Sequence, residues 1–359
     1  MSVTVLMAGG GTGGHVIPLL AVARELRQRG QDAFFIGTER GLETRLVPAE
    51  GFPLETIEIG GLKRVGLRQT LATGWQLPAS TLRSLRLLKS RGTSAVFSMG
   101  GYVAGPPVMA ALLRGIPVVV MEPNAVPGFT NRVIGRFVAG ALVSFRQTAQ
   151  YFPEGRTEVT GLPIREEFFR VPPKPRGAVL NLLITGGSQG SRTLNPASRD
   201  SWPLFQNAGF TIRVVHHSGQ AGFDELQPAI AQSGLEGEVT PFISDMPAAF
   251  AAADLVVCRS GAGTVSELGA AGKPSILVPF PFAADDHQTR NAEAMQRGGA
   301  ARLVRDAEMT GEKLFALVKD LSERAGALEE MAEAARRFAR PGAAERAAGI
   351  LEQVARDFN

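Results

Sequence analysis

The stretch "MAGGGTGGHVIP", residues 7–18, decides how this chain is read. It follows a short apolar run, Val3–Ala8, and leads into a helical pattern, Val16–Arg29, that Gly30 stops. The glycines from Gly9 to Gly14 permit a tight strand-to-helix turn and let a ligand approach bare backbone. The helix start beyond them offers unpaired N–H groups and a positive dipole end. Gly9-x-Gly11-x-x-Gly14 fits dinucleotide spacing, with Glu39 placed to take a ribose. The phosphate-loop reading fails, because no Lys-Ser/Thr follows the last glycine. A tight turn without a ligand is the plain alternative. At the helix start the dipole disfavours a charged His15 ring, so a neutral imidazole is available as a general base. A ring that only caps the turn is the other reading.

Outward from this turn, β-rich runs alternate with helical patterns. "DAFFIG" (32–37), "SAVFSM" (94–99), "PVVVM" (117–121) and "GALVSF" (140–145) continue the series. It restarts with "LNLLITGG" (180–187), then "FTIRVVHHS" (210–218), "EVTPFI" (238–243), "DLVVC" (254–258) and "SILVPF" (275–280). Continuous apolar strands separated by helices predict α/β architecture with doubly wound parallel sheets covered on both faces. The Pro-rich, charged stretch 160–177 reads as a linker, and 359 residues exceed what one core usually serves. Two domains follow: 1–162 with a returning helix 342–359, and 163–341.

The second series opens on a like turn, Gly186, Gly187, Ser188, Gln189 and Gly190, so two cradles predict one ligand held between sheet ends. A third glycine turn, Gly261 and Gly263, precedes a short helix over Thr264–Ala271. Glu267, expected in its first turn, suits a ribose diol or simple capping. Asp285, Asp286, His287, Gln288, Arg290 and Asn291 crowd a loop entering a helix and suit a sugar, or a solvated helix start.

Charge is uneven: residues 1–162 carry 17 Lys/Arg against 10 Asp/Glu, the remainder 21 against 24. From Ile59 to Met121 there is no acid, while Lys63, Arg64, Arg68, Arg83, Arg86, Lys89, Arg91 and Arg114 interleave with Leu62, Val65, Leu67, Leu71, Trp75, Leu77, Leu82, Leu85 and Leu88. That mixture suits an anionic membrane surface. Nucleic acid is disfavoured by the scarcity of stacking aromatics, and a solvated face over core leucines is the third reading. The run 103–121 is interrupted by Pro106, Pro107, Arg114, Gly115 and Pro117, so no spanning helix is expected. Cys258 is the only cysteine, which excludes an intrachain disulfide and suits a reducing compartment. No signal peptide is expected at "MSVTVLMA".

Taken in order and spacing, "GGGTGGHVIPLLAVARELRQRG", "MGGYVAGPPVMAALLRGIPVVVMEPNAVPGFTNR", "GGSQGSRTLN" and "CRSGAGTVSELGAAGKPSILVPFPFAADDHQTRNA" resemble the MurG family of bacterial N-acetylglucosaminyltransferases. The resemblance covers nearly the whole chain. It implies a GT-B fold, two Rossmann-like domains whose parallel sheets face each other across a cleft. It implies inverting transfer of N-acetylglucosamine from UDP-N-acetylglucosamine to the 4-hydroxyl of the N-acetylmuramoyl unit of lipid I, forming lipid II. The partners implied are the donor, undecaprenyl-linked lipid I, an anionic membrane on its cytoplasmic face and a cell-wall synthesis complex. Nucleic acid is not implied, nor a metal or tightly bound cofactor.

By motif, the resemblance makes His15 the general base, with the Glu122 carboxylate the alternative proton acceptor. Thr12, Gly13 and Gly14 match the first glycine turn, which contacts the donor and faces the acceptor pyrophosphate; Tyr102 falls on the acceptor side, and Glu122 and Asn124 near the acceptor and donor sugar. Arg165 and Ser188 match donor diphosphate contacts, and Ile243 and Met246 the uracil pocket. Ala262, Gly263, Thr264, Val265, Ser266 and Glu267 match the donor loop, with Glu267 on the ribose. Gln288 and Asn291 match sugar contacts. Two positions depart from other members: His287 precedes Gln288 where some have a Gln pair, and Leu162 stands where some have Asn. A UDP-N-acetylglucosamine 2-epimerase, a nicotinamide dehydrogenase and a non-catalytic nucleotide-sugar sensor are the competing readings. The epimerase leaves the basic apolar stretch unexplained, and the dehydrogenase leaves the turns at 186–190 and 261–263 idle.

Overall fold

The computed structural model describes residues 2–60 and 67–358, with the side chains of 67–75 outside the description. Leu62, Lys63, Arg64 and Val65 therefore lie outside the described residues, as do the side chains of Leu67, Arg68, Leu71 and Trp75. The chain divides into two units, Met1–Arg165 with Gly342–Asn359, and Glu166–Pro341.

The first unit holds β1 (Thr4–Ala8), β2 (Asp32–Gly37), β3 (Leu54–Thr56), β4 (Ala95–Ser98), β5 (Val118–Glu122), β6 (Gly140–Val143) and β7 (Thr157–Glu158). Its helices are α1 (Gly13–Gln28), α2 (Glu43–Ala49), α3 (Leu67–Ser90), α4 (Gly101–Leu113) and α5 (Phe129–Ile134), joined by the last helix of the chain. The second unit holds β8 (Leu180–Thr185), β9 (Ile212–His217), β10 (Glu236–Thr240), β11 (Leu255–Cys258), β12 (Ser275–Leu277) and β13 (Ala301–Leu303). Around them lie α6 (Leu194–Asn207), α7 (Gln220–Ser233), α8 (Met246–Ala252), α9 (Ala262–Ala271), α10 (His287–Arg297), α11 (Gly311–Glu323) and α12 (Ala327–Arg336); α13 (Ala343–Phe358) returns to the first unit.

Among the described residues the strand orders are β3-β2-β1-β4-β5-β6-β7 and β10-β9-β8-β11-β12-β13, and every pairing is parallel. Each sheet therefore reverses its winding once, between β1 and β4 in the first unit and between β8 and β11 in the second. The carboxyl ends of those strand pairs are where an α/β sheet offers a crevice. Helices on both faces explain why the central strands are apolar throughout; β4 and β5, for instance, are buried along their whole length. Three strands escaped the sequence reading: β3 (LET), β7 (TE) and β13 (ARL). All are edge strands of three residues or fewer, too short and too polar to show periodicity. The helix α4 also runs through Pro106 and Pro107, which were expected to interrupt it. As the sixth and seventh residues of α4, they cost the helix two donors, those that would serve the carbonyls of Tyr102 and Val103. Among the described residues no helix is long and apolar enough to cross a membrane.

The first unit is closed by α13, which packs on α1 and buries Ala347, Ala348, Leu351 and Ala355. At its rim Arg346 forms a two-pronged pair with Glu158, both bonds at 2.6 Å, and Arg29 donates to Glu345 O. Core burial should outweigh the exposed pair. Leu351→Ala is expected to destabilise the first unit by about 2–5 kcal/mol, and Arg346→Ala by less than about 1 kcal/mol. Urea denaturation of both variants checks the ranking; equal losses would overturn it.

Candidate functional site

In the first unit the turn after β1 stands beside the turn after β4. Gly11 is at φ +85, a conformation side chains rarely adopt, and the chain then enters α1 with Thr12 as N-cap. Thr12 O accepts from His15 N–H and Val16 N–H at 3.1 and 3.2 Å, so Gly13 and Gly14 are the first helical residues. Their N–H groups have no partner inside the helix, and no acidic residue occupies the first turn. The half-buried His15 ring places Nδ1 3.3 Å from Gly10 O and packs against Gly101, at the head of α4. Tyr102 is exposed, with its hydroxyl beside Gly11. His15, Thr12, Gly13, Gly14 and Tyr102 are thus one local group.

Glu122 ends β5 and is buried. Oε1 accepts from Asn124 N–H and Asn124 Nδ2 at 3.0 and 3.1 Å; Oε2 accepts from Gly128 N–H and Asn131 Nδ2 at 3.0 and 2.9 Å. Burial pushes its carboxyl above the ordinary range, against the pull of those four bonds. A carboxylate so occupied organises the 122–131 loop, and Asn124 is positioned by it. Asn131, which the sequence reading missed, also donates to Met121 O at 3.0 Å. Glu39 is exposed; the acid that meets the glycine turn is Glu43, with no accessible surface.

In the second unit the turn after β8 is drawn in by Gly190 N–H to Gly187 O at 2.8 Å and by Gly187 N–H to Thr185 Oγ1 at 3.2 Å. A Cβ at Gly190 would collide with Ser218 O, so only glycine permits this approach. Ser188 is exposed on this turn and does not head a helix: α6 begins at Leu194. The delay comes from the Gly190 bend and from Ser191 Oγ, which accepts from Thr193 and Leu194 N–H at 3.3 and 3.0 Å. Across the switch point, Arg259 donates to Ser191 Oγ at 2.8 Å, to Val278 O and Pro279 O, and pairs with Asp306. This guanidinium ties together three of the loops at the carboxyl edge. It lies inside a motif singled out in the sequence, yet its bracing role depends on contacts that spacing cannot show.

The helix α9 starts at Ala262 rather than Thr264, with Gly261 as N-cap. Glu267 is therefore its sixth residue, in the second turn, and dipole capping at the first turn does not describe it. Val265 is buried, so it offers a ligand only backbone, while Ala262, Gly263, Thr264, Ser266 and Glu267 are half-buried. Gln288 Oε1 accepts from Phe280 N–H at 2.9 Å, which turns its NH2 end toward Gly261. Asn291 is fully buried and donates to Ser260 O at 3.1 Å, bracing α10 against the loop after β11. Ahead of them Asp285 and Asp286 both adopt left-handed backbone, at φ 53 and 54. Ile243 follows β10 and Met246 opens α8, both half-buried, beside the exposed Phe242 ring. Arg165 is exposed and is the last residue of the first unit. Among the described residues no three His, Cys, Asp or Glu side chains converge as metal ligands.

Known proteins resemble this chain along nearly its whole length. Residues 5–143 match the glycosyltransferase family 28 N-terminal domain, and residues 181–348 match its C-terminal domain. A UDP-N-acetylglucosamine–N-acetylmuramyl-(pentapeptide) pyrophosphoryl-undecaprenol N-acetylglucosamine transferase of Solibacter usitatus is 71% identical, covering 98% of this chain and 96% of its own. One of the same description from Myxococcus xanthus is 41% identical over 96% and 91%. The crystal structure of Acinetobacter baumannii MurG superposes with a TM-score of 0.84 at 34% identity, covering 98% of this chain and 99% of that one. A UDP-GlcNAc 2-epimerase from Neisseria meningitidis reaches a TM-score of 0.67 at 15% identity, covering 98% of this chain and all of that one, a likeness of fold alone. With both domains matched and close relatives along nearly its whole length, this chain belongs to the MurG family of the family 28 glycosyltransferases, a GT-B fold.

Proposed function

We infer that this enzyme moves N-acetylglucosamine from UDP-N-acetylglucosamine to the 4-hydroxyl of the N-acetylmuramoyl unit of lipid I, forming lipid II in peptidoglycan synthesis. The observation that carries the reading is 71% identity, across 98% of the chain, to a protein named for that transfer. In the proposed displacement the acceptor oxygen bonds to the sugar's anomeric carbon as the bond to UDP breaks, with inversion. His15 takes the hydroxyl proton. It stands in the first turn of α1, and a carbonyl against Nδ1 makes Nε2 its basic nitrogen. Glu122, with four hydrogen bonds already made, holds the acceptor-side loop rather than the proton. The departing UDP is received by the backbone of the 186–190 turn, and the uracil by the loop carrying Ile243 and Met246. No tightly bound cofactor enters this scheme.

We further propose peripheral attachment to the anionic cytoplasmic face of the membrane, where a cell-wall synthesis complex would also work. The support is an apolar ladder on two adjoining helices. Met109 and Leu113 are exposed at i, i+4 on α4, and Phe129, Val133 and Phe137 follow the same spacing along α5 and just beyond it. Arg114, Arg132 and Arg136 are exposed among them. Apolar side chains left in water beside cations fit the interface of an anionic bilayer. Leu77 and Leu82 on α3 are exposed as well, whereas Leu88 from the same acid-free stretch is core.

Incubation with UDP-N-acetylglucosamine, with and without a lipid I analogue, is expected to release UDP only when acceptor is present; acceptor-independent release or an epimer would overturn the reading. His15→Ala should lower kcat by about 10²–10⁴ with the KM for donor nearly kept, and turnover near that of the unaltered enzyme would remove His15 from the role. Replacing Phe129 and Phe137 together with Ser should weaken binding to phosphatidylglycerol vesicles by about tenfold or more. Sedimentation with vesicles measures it, and unchanged binding would exclude this surface.

A further inference from the structure

The carboxyl of Glu43 has no part in the transfer just described, yet the first glycine turn is built around it. Glu43 is the first residue of α2 and has no accessible surface. Its Oε1 accepts from Thr38 N–H at 2.9 Å and from the Thr38 hydroxyl at 3.0 Å, while Oε2 accepts from Gly11 N–H at 2.8 Å. Three glycines leave the space it fills: a Cβ at Gly10 or Gly41 would run into the carboxylate, and one at Gly37 into the side chain's Cγ. Burial pushes its carboxyl up, but the bonds from Thr38, Gly11 and its own N–H outweigh burial and hold it below the ordinary range. It is an anion at neutral pH.

The N–H of Gly11 and the C=O of Gly10 are two ends of one peptide group. Glu43 accepts from the first, and His15 Nδ1 lies 3.3 Å from the second. A carbonyl oxygen can only accept, so this contact requires the proton on Nδ1 and puts the ring's lone pair on Nε2. An anion that accepts from a peptide N–H increases the negative charge on that peptide's oxygen, so the two bonds strengthen one another. We propose that Glu43 is a positioning residue for the base: acting through the Gly10–Gly11 peptide, its carboxylate holds His15 as the Nδ1–H tautomer with Nε2 ready to accept the acceptor's proton. The proposal rests on the reading of His15 as the base. It also explains why both carboxylate oxygens are needed. A Gln amide has one accepting end, and its NH2 would face an N–H donor at either Gly11 or Thr38.

Two measurements test it. In the full chain with 15N-labelled histidine at neutral pH, the His15 ring, assigned by its loss in His15→Ala, should show the Nδ1–H pattern; an Nε2–H pattern overturns the proposal. Glu43→Gln should then lower kcat by about tenfold and shift His15 toward a mixture of tautomers, with the KM for UDP-N-acetylglucosamine within about twofold. In a His15→Ala background the same substitution should cost no further turnover, because the two residues act as one unit. Equal losses with and without His15 would show that Glu43 acts elsewhere and would sink the idea. Should Glu43→Gln fail to fold, Glu43→Asp, one methylene too short to reach Gly11 and Thr38 together, serves in the same cycle. If His15→Ala itself leaves turnover intact, the base assignment falls and the catalytic claim with it, and the tautomer spectrum alone then decides the coupling.

Discussion

The backbone at the carboxyl edges of β1 and β8 carries the constraint on which the rest depends. An all-parallel sheet covered by helices has no side face left for a ligand, so recognition is confined to the strand ends where the winding reverses. At those two points the chain changes from strand to helix through glycine turns. The apolar strands, the positions of the glycines and the placement of His15, Ser188 and Glu267 all follow from keeping those edges open.

The two units meet this constraint differently. In the first, buried carboxylates under the surface fix the loops: Glu43 holds the turn after β1, and Glu122 holds the loop after β5. Each spends its charge on backbone and amide N–H groups, so the exposed surface of that unit stays basic and apolar. In the second unit the same work falls to a cation. Arg259 gathers a hydroxyl, two carbonyls and Asp306 from separate loops. Carboxylates thus brace the loops of the first edge and a guanidinium those of the second.

Much of this was legible in the sequence, because it is local. Runs such as Val118–Met121 declare buried parallel strands, and "GGGTGG" and "GGSQG" declare the turns. What failed was register and tertiary contact. Leu194 rather than Ser188 begins α6 because the chain bends at Gly190 and Ser191, the residue after the turn, takes the N–H groups of Thr193 and Leu194. Glu267 moved to a second turn because α9 starts two residues early. Asn291 and Val265 carry the right spacing, but their side chains face inward, which one sequence alone does not reveal. Glu43 had no signal at all: an acid at the start of a short helix reads as solvated, and only three glycines brought close by the fold turn it into a buried anchor.

The placement of α13 has a consequence for synthesis. Because residues 342–359 complete a unit whose other residues end at 165, that unit lacks part of its core until the last helix leaves the ribosome. Glu166–Pro341 is one unbroken segment and is made in full before that helix. The segment encoded second is therefore free to fold first, and the amino-terminal one stays short of part of its core until residues 342–359 have been made.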